Sequence, residues 1–323
     1  MSQDPRSIDP RAAPGYVHLT VADLARVRAF YAGVLGFREA WSEGTTVFLS
    51  ASGRYPFHVA LTPARRAMPA SRRTAGLYHA AFLLPGRRAL ACVLRRLMAA
   101  GVQLDGASDH RVSEALYLRD PEGNGVELYA DRPRDRWPRG RDQILMTTEP
   151  LDLHSLLSEA GGEEAGVDPG TRLGHVHLRV SDLGRAEAFY HGILGFDVTL
   201  RGYPGALFLS AGGYHHHLGV NIWGGQGLPP SDPEAPGLRY FSISLPTPHE
   251  LARLVRRAEE AGVRIEGAAD CGPYEAVYLR DWDGIGVALT VDRPVPAGAP
   301  VRREVVQLDL EAAVRRWSDG RLS

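Results

Sequence analysis

The sequence predicts an α+β protein assembled from four βαβββ modules, each a strand, a helix and three further strands. Three observations carry this prediction. The segment GYVHLTVADLARVRAFYAGVLGF (15–37) recurs as GHVHLRVSDLGRAEAFYHGILGF (174–196), identical at 15 of 23 positions without a gap. GASDHRVSEALYLRDPEGNGVELYADRP (106–133) recurs as GAADCGPYEAVYLRDWDGIGVALTVDRP (267–294), identical at 16 of 28. Within each half the order of elements then repeats once more, so the chain is a tandem duplication of a two-module unit.

The elements follow from local pattern. YVHLTV alternates, with Val17, Leu19 and Val21 on one face. A helix follows, capped by Asp23, with Leu24, Val27, Phe30, Tyr31 and Leu35 as its apolar stripe and Gly36 as its stop. TVFLS and FHVAL read as strands, YHAAFLLP starts the pattern again, and RRALACVLRRLMAAG is the second helix. VQLDG, ALYLRD and GVELYAD close the second module. The four modules fall near 14–68, 75–134, 172–230 and 236–294. The chain divides into an N-terminal pair (1–134), a linker (135–171) with a short helix around DLHSLLSEAGG, a C-terminal pair (172–294) and a tail (295–323) with a final helix.

Composition narrows the function. The chain has 323 residues, 44% of them hydrophobic and 23% charged, with a net charge of −1. That balance points away from nucleic acid and from an anionic membrane surface. There is no lysine, which excludes Schiff-base chemistry. Two cysteines, Cys92 and Cys271, make neither a disulfide framework nor a cysteine-rich zinc site. No apolar run reaches the ~20 residues of a membrane span, and the first residues carry no signal-peptide core, so a cytoplasmic protein is expected.

The duplication supplies an internal control: a polar residue that one copy lacks is not needed to form the fold. His175 stands where the other copy has Tyr16, His79 where it has Tyr240, His110 where it has Cys271, and Glu127 where it has Ala288. Tyr117 is kept as Tyr278, and His18 as His177. The run His215, His216, His217 faces RYPFHV in the first copy, in a register the sequence leaves open. The second and third modules therefore hold the chemistry, and the first and fourth look like a degenerate twin. Strand alternation turns His175 and His177, and likewise Glu127 and Tyr129, away from the helix-packed face. By the same parity His215, His217 and Asn221 share one face, so His217 is the candidate cleft residue of the run. A single histidine on a strand is ordinarily a packing residue; several such differences in the same two modules point to a site.

The modules, the DL…FY…LGF helices and YLRDPEGNGVELYADRP resemble the vicinal oxygen chelate superfamily of glyoxalases, bleomycin-resistance proteins and extradiol dioxygenases. Within it, the four-module layout, SDHRVSEALYLRDPEGNGVELYADRP and SAGGYHHHLGVNIW look like the CatE-type catechol 2,3-dioxygenase group. The resemblance implies curved mixed sheets forming two half-barrel clefts. It implies a metal held by His79, Glu127 and His175, a set suited to non-haem Fe(II), with Mn(II), Ni(II) or Zn(II) as alternatives. It places His216, the middle residue of the run, as a catalytic base where parity places His217, and assigns His110 and Tyr117 to the ring-opening step.

The expected activity is extradiol cleavage of a small catechol-type aromatic with O2. The alternatives are a glyoxalase-like isomerase or lyase, with His217 as a fourth ligand, and a metal-free binding protein of the bleomycin-resistance kind. Familiar extradiol enzymes build the site from their third and fourth modules, where this chain has Tyr240 and Ala288. The second and third modules must therefore pair, within the chain or in a homodimer. The remaining cleft should be vestigial, with Tyr16 and Tyr240 filling the place of the ion.

Overall fold

A computed structural model describes residues 6–65, 73–141, 143–162, 166–294 and 305–323. The first module contains β1 (Ala13–Val21), α1 (Leu24–Ala29), β2 (Arg38–Glu43), β3 (Thr46–Ser50) and β4 (Val59–Pro63). The second contains β5 (Gly76–Leu84), α2 (Arg87–Ala99), β6 (Gly106–Asp109), β7 (Ser113–Arg119) and β8 (Gly125–Asp131). The linker adds β9 (Glu149–Pro150) and α3 (Leu153–Ser158). The third module has β10 (Arg172–Arg179), α4 (Leu183–Glu187), β11 (Asp197–Leu200), β12 (Ala206–Ser210) and β13 (Leu218–Asn221). The fourth has β14 (Gly237–Leu245), α5 (Pro248–Glu260), β15 (Ile265–Asp270), β16 (Tyr274–Arg280) and β17 (Gly286–Asp292), and the tail has β18 (Val306–Leu308) and α6 (Leu310–Ser318).

The elements form for the reasons visible in the sequence. Asp23 and Asp182 cap α1 and α4 by accepting the backbone N–H groups of Arg26 and Arg185. Both helices then widen into π-helical turns, Phe30–Val34 and Ala188–Ile193, which carry the repeated Phe-Tyr pairs into the core. Gly36 and Gly195 end them at φ 87° and 84°, a conformation that favours glycine. VQLDG is strand only from Gly106 onward. The expected end of the first module at 68, and the first ten residues of the tail, lie outside the described residues.

Two curled nine-stranded sheets result, and each draws on both halves of the chain. One runs β18-β15-β16-β17-β14-β1-β4-β3-β2 and the other β11-β12-β13-β10-β5-β8-β7-β6-β9. The joints are antiparallel pairs, β1 with β14 and β10 with β5. The second and third modules thus pair within one chain, and the first pairs with the fourth. Apolar residues of the sheets, such as Val176, Leu178, Val126, Leu128 and Phe82, pack into the main core beside the helices. The opposite faces line the clefts.

Candidate metal centre

β5, β8 and β10 lie side by side at the middle of one sheet, and each presents one polar residue to its concave face. Ala80, Val126 and Val176 go to the core, so alternation turns His79, Glu127 and His175 the other way. His79 Nε2 and His175 Nε2 each lie 3.0 Å from Glu127 Oε2. One donor atom from each residue fits within a 4.8 Å group, and all three side chains are buried. Close packing of backbone permits this. A Cβ on Gly125 would stand 2.2 Å from the Tyr78 carbonyl oxygen and 2.9 Å from the His79 Cβ, and one on Gly174 would stand 1.9 Å from the Tyr129 hydroxyl.

Electrostatics favour ligation. Burial pushes the His175 imidazole down to about 4 against the pull of Glu127, leaving a neutral ring. Burial alone would raise the Glu127 carboxyl, but His175 and His79 outweigh it and hold it well below the ordinary range. Neutral imidazole and ionised carboxylate are the forms that bind a metal ion. The buried His79 Nε2 has no well-formed hydrogen bond, which is what a ligand nitrogen facing an ion site requires. The donor set fits the expected metal.

A cavity of about 610 Å³ opens above these residues. Its walls include Tyr78, Tyr203, Phe208 and Trp223, and its polar lining includes His110, Tyr117, His177 and His216. His110 Nδ1 donates to the Thr147 carbonyl (2.6 Å), so in the neutral ring Nε2 is bare and accepts from the Tyr117 hydroxyl at 2.7 Å. Burial and the neighbouring Glu127 push that hydroxyl well above its ordinary value. His177 packs against His79, Tyr78 and Trp223, with ring centroids 5.0, 5.1 and 5.3 Å away.

The histidine run differs from its strand reading. His217 still bonds Leu209 and Val176 through its backbone, but His215 and His216 lie outside the ladder, after two glycines of positive φ, Gly212 and Gly213, so parity does not reach back to them. His216 lines the cavity, its ring centroid 4.1 Å from that of His175. His217, the parity choice, stacks on Tyr214 at 4.8 Å, and its Nδ1 accepts the Ala211 N–H at 3.1 Å. It therefore supplies no fourth ligand. His215 is fully buried, with Nε2 2.9 Å from Asp131 Oδ1.

The open register of the twin is settled by pairing. Val59 faces Val17 as Leu218 faces Val176, so Tyr55, Pro56, Phe57 and His58 correspond to Tyr214, His215, His216 and His217. The kept pair is thus His58 and His217. The twin cleft is not filled: about 700 Å³ remains, lined by Tyr16, Tyr240, Cys271, Tyr274 and Tyr278. Tyr16 packs against Phe57 at 4.5 Å, the contact equivalent to that of His175 with His216, and Tyr240 donates its hydroxyl to Glu266 beneath the Arg280 guanidinium. Ala288 is fully buried there.

Sequence reasoning passed over Asp131 and the linker. Met146, Thr147 and Thr148 line the metal-side cavity, and Thr147 contributes through a backbone carbonyl that no side-chain pattern encodes.

The model of the Glyoxalase/Bleomycin resistance protein/Dioxygenase superfamily matches residues 13–128 and 172–289. The chain belongs to that superfamily. A catechol-2,3-dioxygenase of Bacillus subtilis (strain 168) is 46% identical over 257 residues, covering 78% of this chain and 89% of that protein. A match of that extent places this superfamily member among its enzymes. A biphenyl-2,3-diol 1,2-dioxygenase of Rhodococcus globerulus is 28% identical over 121 residues, 38% of this chain and 63% of its own. Among solved structures, a putative dioxygenase from Bacillus subtilis shares the fold with a TM-score of 0.60 at 14% identity, covering 88% of this chain and 87% of its own. Glyoxalase I from Zea mays shares it with a TM-score of 0.53 at 17% identity, covering 87% and 92%. Among the described residues no helix is long and apolar enough to cross a membrane.

Proposed function

We propose that this chain is an extradiol dioxygenase that opens the ring of a catechol-type aromatic with O2, using one Fe(II) held by His79, Glu127 and His175. The observation that carries the reading is the convergence of these three buried donors on the floor of one cleft, while the twin cleft has Tyr240, Ala288 and Tyr16 at the same positions. His79, Glu127 and His175 would hold the ion as two imidazoles and a carboxylate, a donor set suited to non-haem Fe(II). A bound ion there supplies Lewis acidity and an electron path between catechol and O2.

The chain's own residues do the rest. The aromatic walls hold the ring and exclude bulk water. His216, on the cavity surface, accepts a proton from a catechol hydroxyl as the substrate seats. The Tyr117 hydroxyl donates to His110 Nε2, which leaves its oxygen to accept from a substrate hydroxyl, and His216 returns the proton it took as the ring opens. The relative's name supports a catechol substrate, and the cavity has room for substituents beyond one ring. The Ala211 N–H on His217 Nδ1, and the grouping of donor atoms from His79, Glu127 and His175 without it, support this reading over the four-ligand isomerase alternative.

Anaerobically purified protein should contain one iron per chain and turn catechol into a yellow ring-opened product. Glu127→Ala should lose both the metal and the product, measured by elemental analysis and absorbance. Iron-loaded wild-type protein that leaves catechol uncleaved, or metal retained in Glu127→Ala, would overturn the reading.

A further inference from the structure

Behind His216 lies a chain of buried and half-buried polar groups that neither the metal set nor the substrate cavity uses. His215 Nδ1 is 2.8 Å from His216 Nδ1, and His215 Nε2 is 2.9 Å from Asp131 Oδ1. The Tyr214 hydroxyl donates to the same carboxylate oxygen at 3.1 Å, and the Tyr129 hydroxyl stands 2.8 Å from that of Tyr214. The His215 ring sits between Tyr214 and Trp137, with centroids 4.0 and 5.1 Å away.

Proton bookkeeping along this chain has one solution for neutral rings. A carboxylate only accepts, so His215 must carry its proton on Nε2. Its Nδ1 is then bare. The 2.8 Å contact between the two Nδ1 atoms needs a proton, and only His216 can provide it. His216 therefore holds its proton on Nδ1, and its Nε2 is left as a lone pair. The ring borders the cavity, and Nδ1 is already engaged with His215.

The twin cleft separates this from mere packing. Asp292 stands where Asp131 does and accepts from Tyr55, the counterpart of Tyr214. The carboxylate–tyrosine contact is thus common to both clefts. The histidine pair is not: the twin has Pro56 and Phe57 there. The imidazole relay occurs only in the cleft that has the metal-competent residues.

We infer that Asp131 and His215 are positioning residues that fix the tautomer and orientation of His216, presenting a bare Nε2 to substrate. The inference rests on the proposed role of His216 as proton acceptor, but its first readout does not. Protein labelled with 15N-histidine should show His216 as the Nδ1–H tautomer by two-bond nitrogen–proton correlations. His215→Phe keeps a ring between Tyr214 and Trp137 but removes the acceptor, so His216 should shift to Nε2–H. Asp131→Asn, close to isosteric, should give a mixture of the two tautomers. Both variants should lower kcat on catechol about tenfold to a hundredfold, the range for partners behind a reacting group, with KM within about twofold and metal content unchanged. If wild-type protein fails to cleave catechol while the tautomer shifts occur, the dioxygenase reading falls and the relay stands. An Nε2–H tautomer in the wild type, or one unmoved by both substitutions, overturns the relay.

Discussion

His216 and His217 are adjacent, yet they answer to different constraints. His217 corresponds to His58 in the twin and serves packing, whereas His216 corresponds to Phe57 and borders the cavity beside the three grouped donors. His216→Gln should lower kcat about a hundredfold or more, the usual scale for a proton-transfer group, while His217→Gln should leave kcat within about twofold and cost about 1 kcal/mol from its Ala211 contact. Equal losses of kcat would show that the two had been misassigned. Steady-state kinetics and urea unfolding separate these outcomes. His58 gives a pH prediction. Burial pushes its imidazole down to about 4, below the ~6.5 of an unfolded chain. The unfolded state then binds more protons between those values, so this contribution is complete above about 6.5 and is lost as pH falls toward 4. Its slope is at most ~1.4 kcal/mol per pH unit. Unfolding free energies at pH 7.5, 6 and 5 should fall less steeply in His58→Phe than in the parent, and parallel slopes would refute the assignment. The sequence showed which of the paired polar residues differ between copies. It could not show that His215 turns inward to Asp131, because that depends on a turn whose backbone departs from strand geometry.

Elements with strong periodicity were legible: β1, β8 and β10 alternate, and the core stripes of α2 and α5 stand out, because burial on one face dictates the pattern. Contributions from the linker and tail were less legible. The linker reads as a spacer, but β9 pairs with β6 and Thr147 anchors His110. The tail reads as a helix, but β18 also extends a sheet by pairing with β15. Glu275 is the latch: fully buried, it accepts from Trp317 Nε1, from Arg293 and Arg316, and from the Ser323 backbone N–H. Its counterpart Glu114 bonds Arg87 and Arg132 instead. Glu275→Ala leaves the buried Trp317 Nε1 and the half-buried Arg293 and Arg316 without their acceptor and should cost about 1–3 kcal/mol. It should also expose α6 to limited proteolysis. Because Glu275 belongs to the sheet without the metal set, iron content should stay near one per chain. Loss of iron together with the helix would mean the two sheets are coupled more tightly than their separate clefts imply.

At the scale of the molecule, no cleft belongs to one half. His79 and Glu127 come from before the linker and His175 from after it. Residues 1–162 expressed alone should bind no iron tightly, and neither should 166–323. Each fragment would also leave the central strand pairs β1–β14 and β5–β10 unmade, exposing long unpaired edges that favour aggregation. Mixed during refolding, they should recover one iron per pair, read by elemental analysis of the complex. Tight iron binding by the first fragment alone would contradict a site shared across the halves. The crossed construction also has a consequence for descent. If a two-module ancestor associated with an identical copy of itself, every substitution would have appeared in both clefts at once, and losing a ligand would have cost all activity. Joining the copies in one gene broke that symmetry. One cleft now has tyrosine, cysteine and alanine where the other has histidine and glutamate, and the strands of each still come from both halves of the chain.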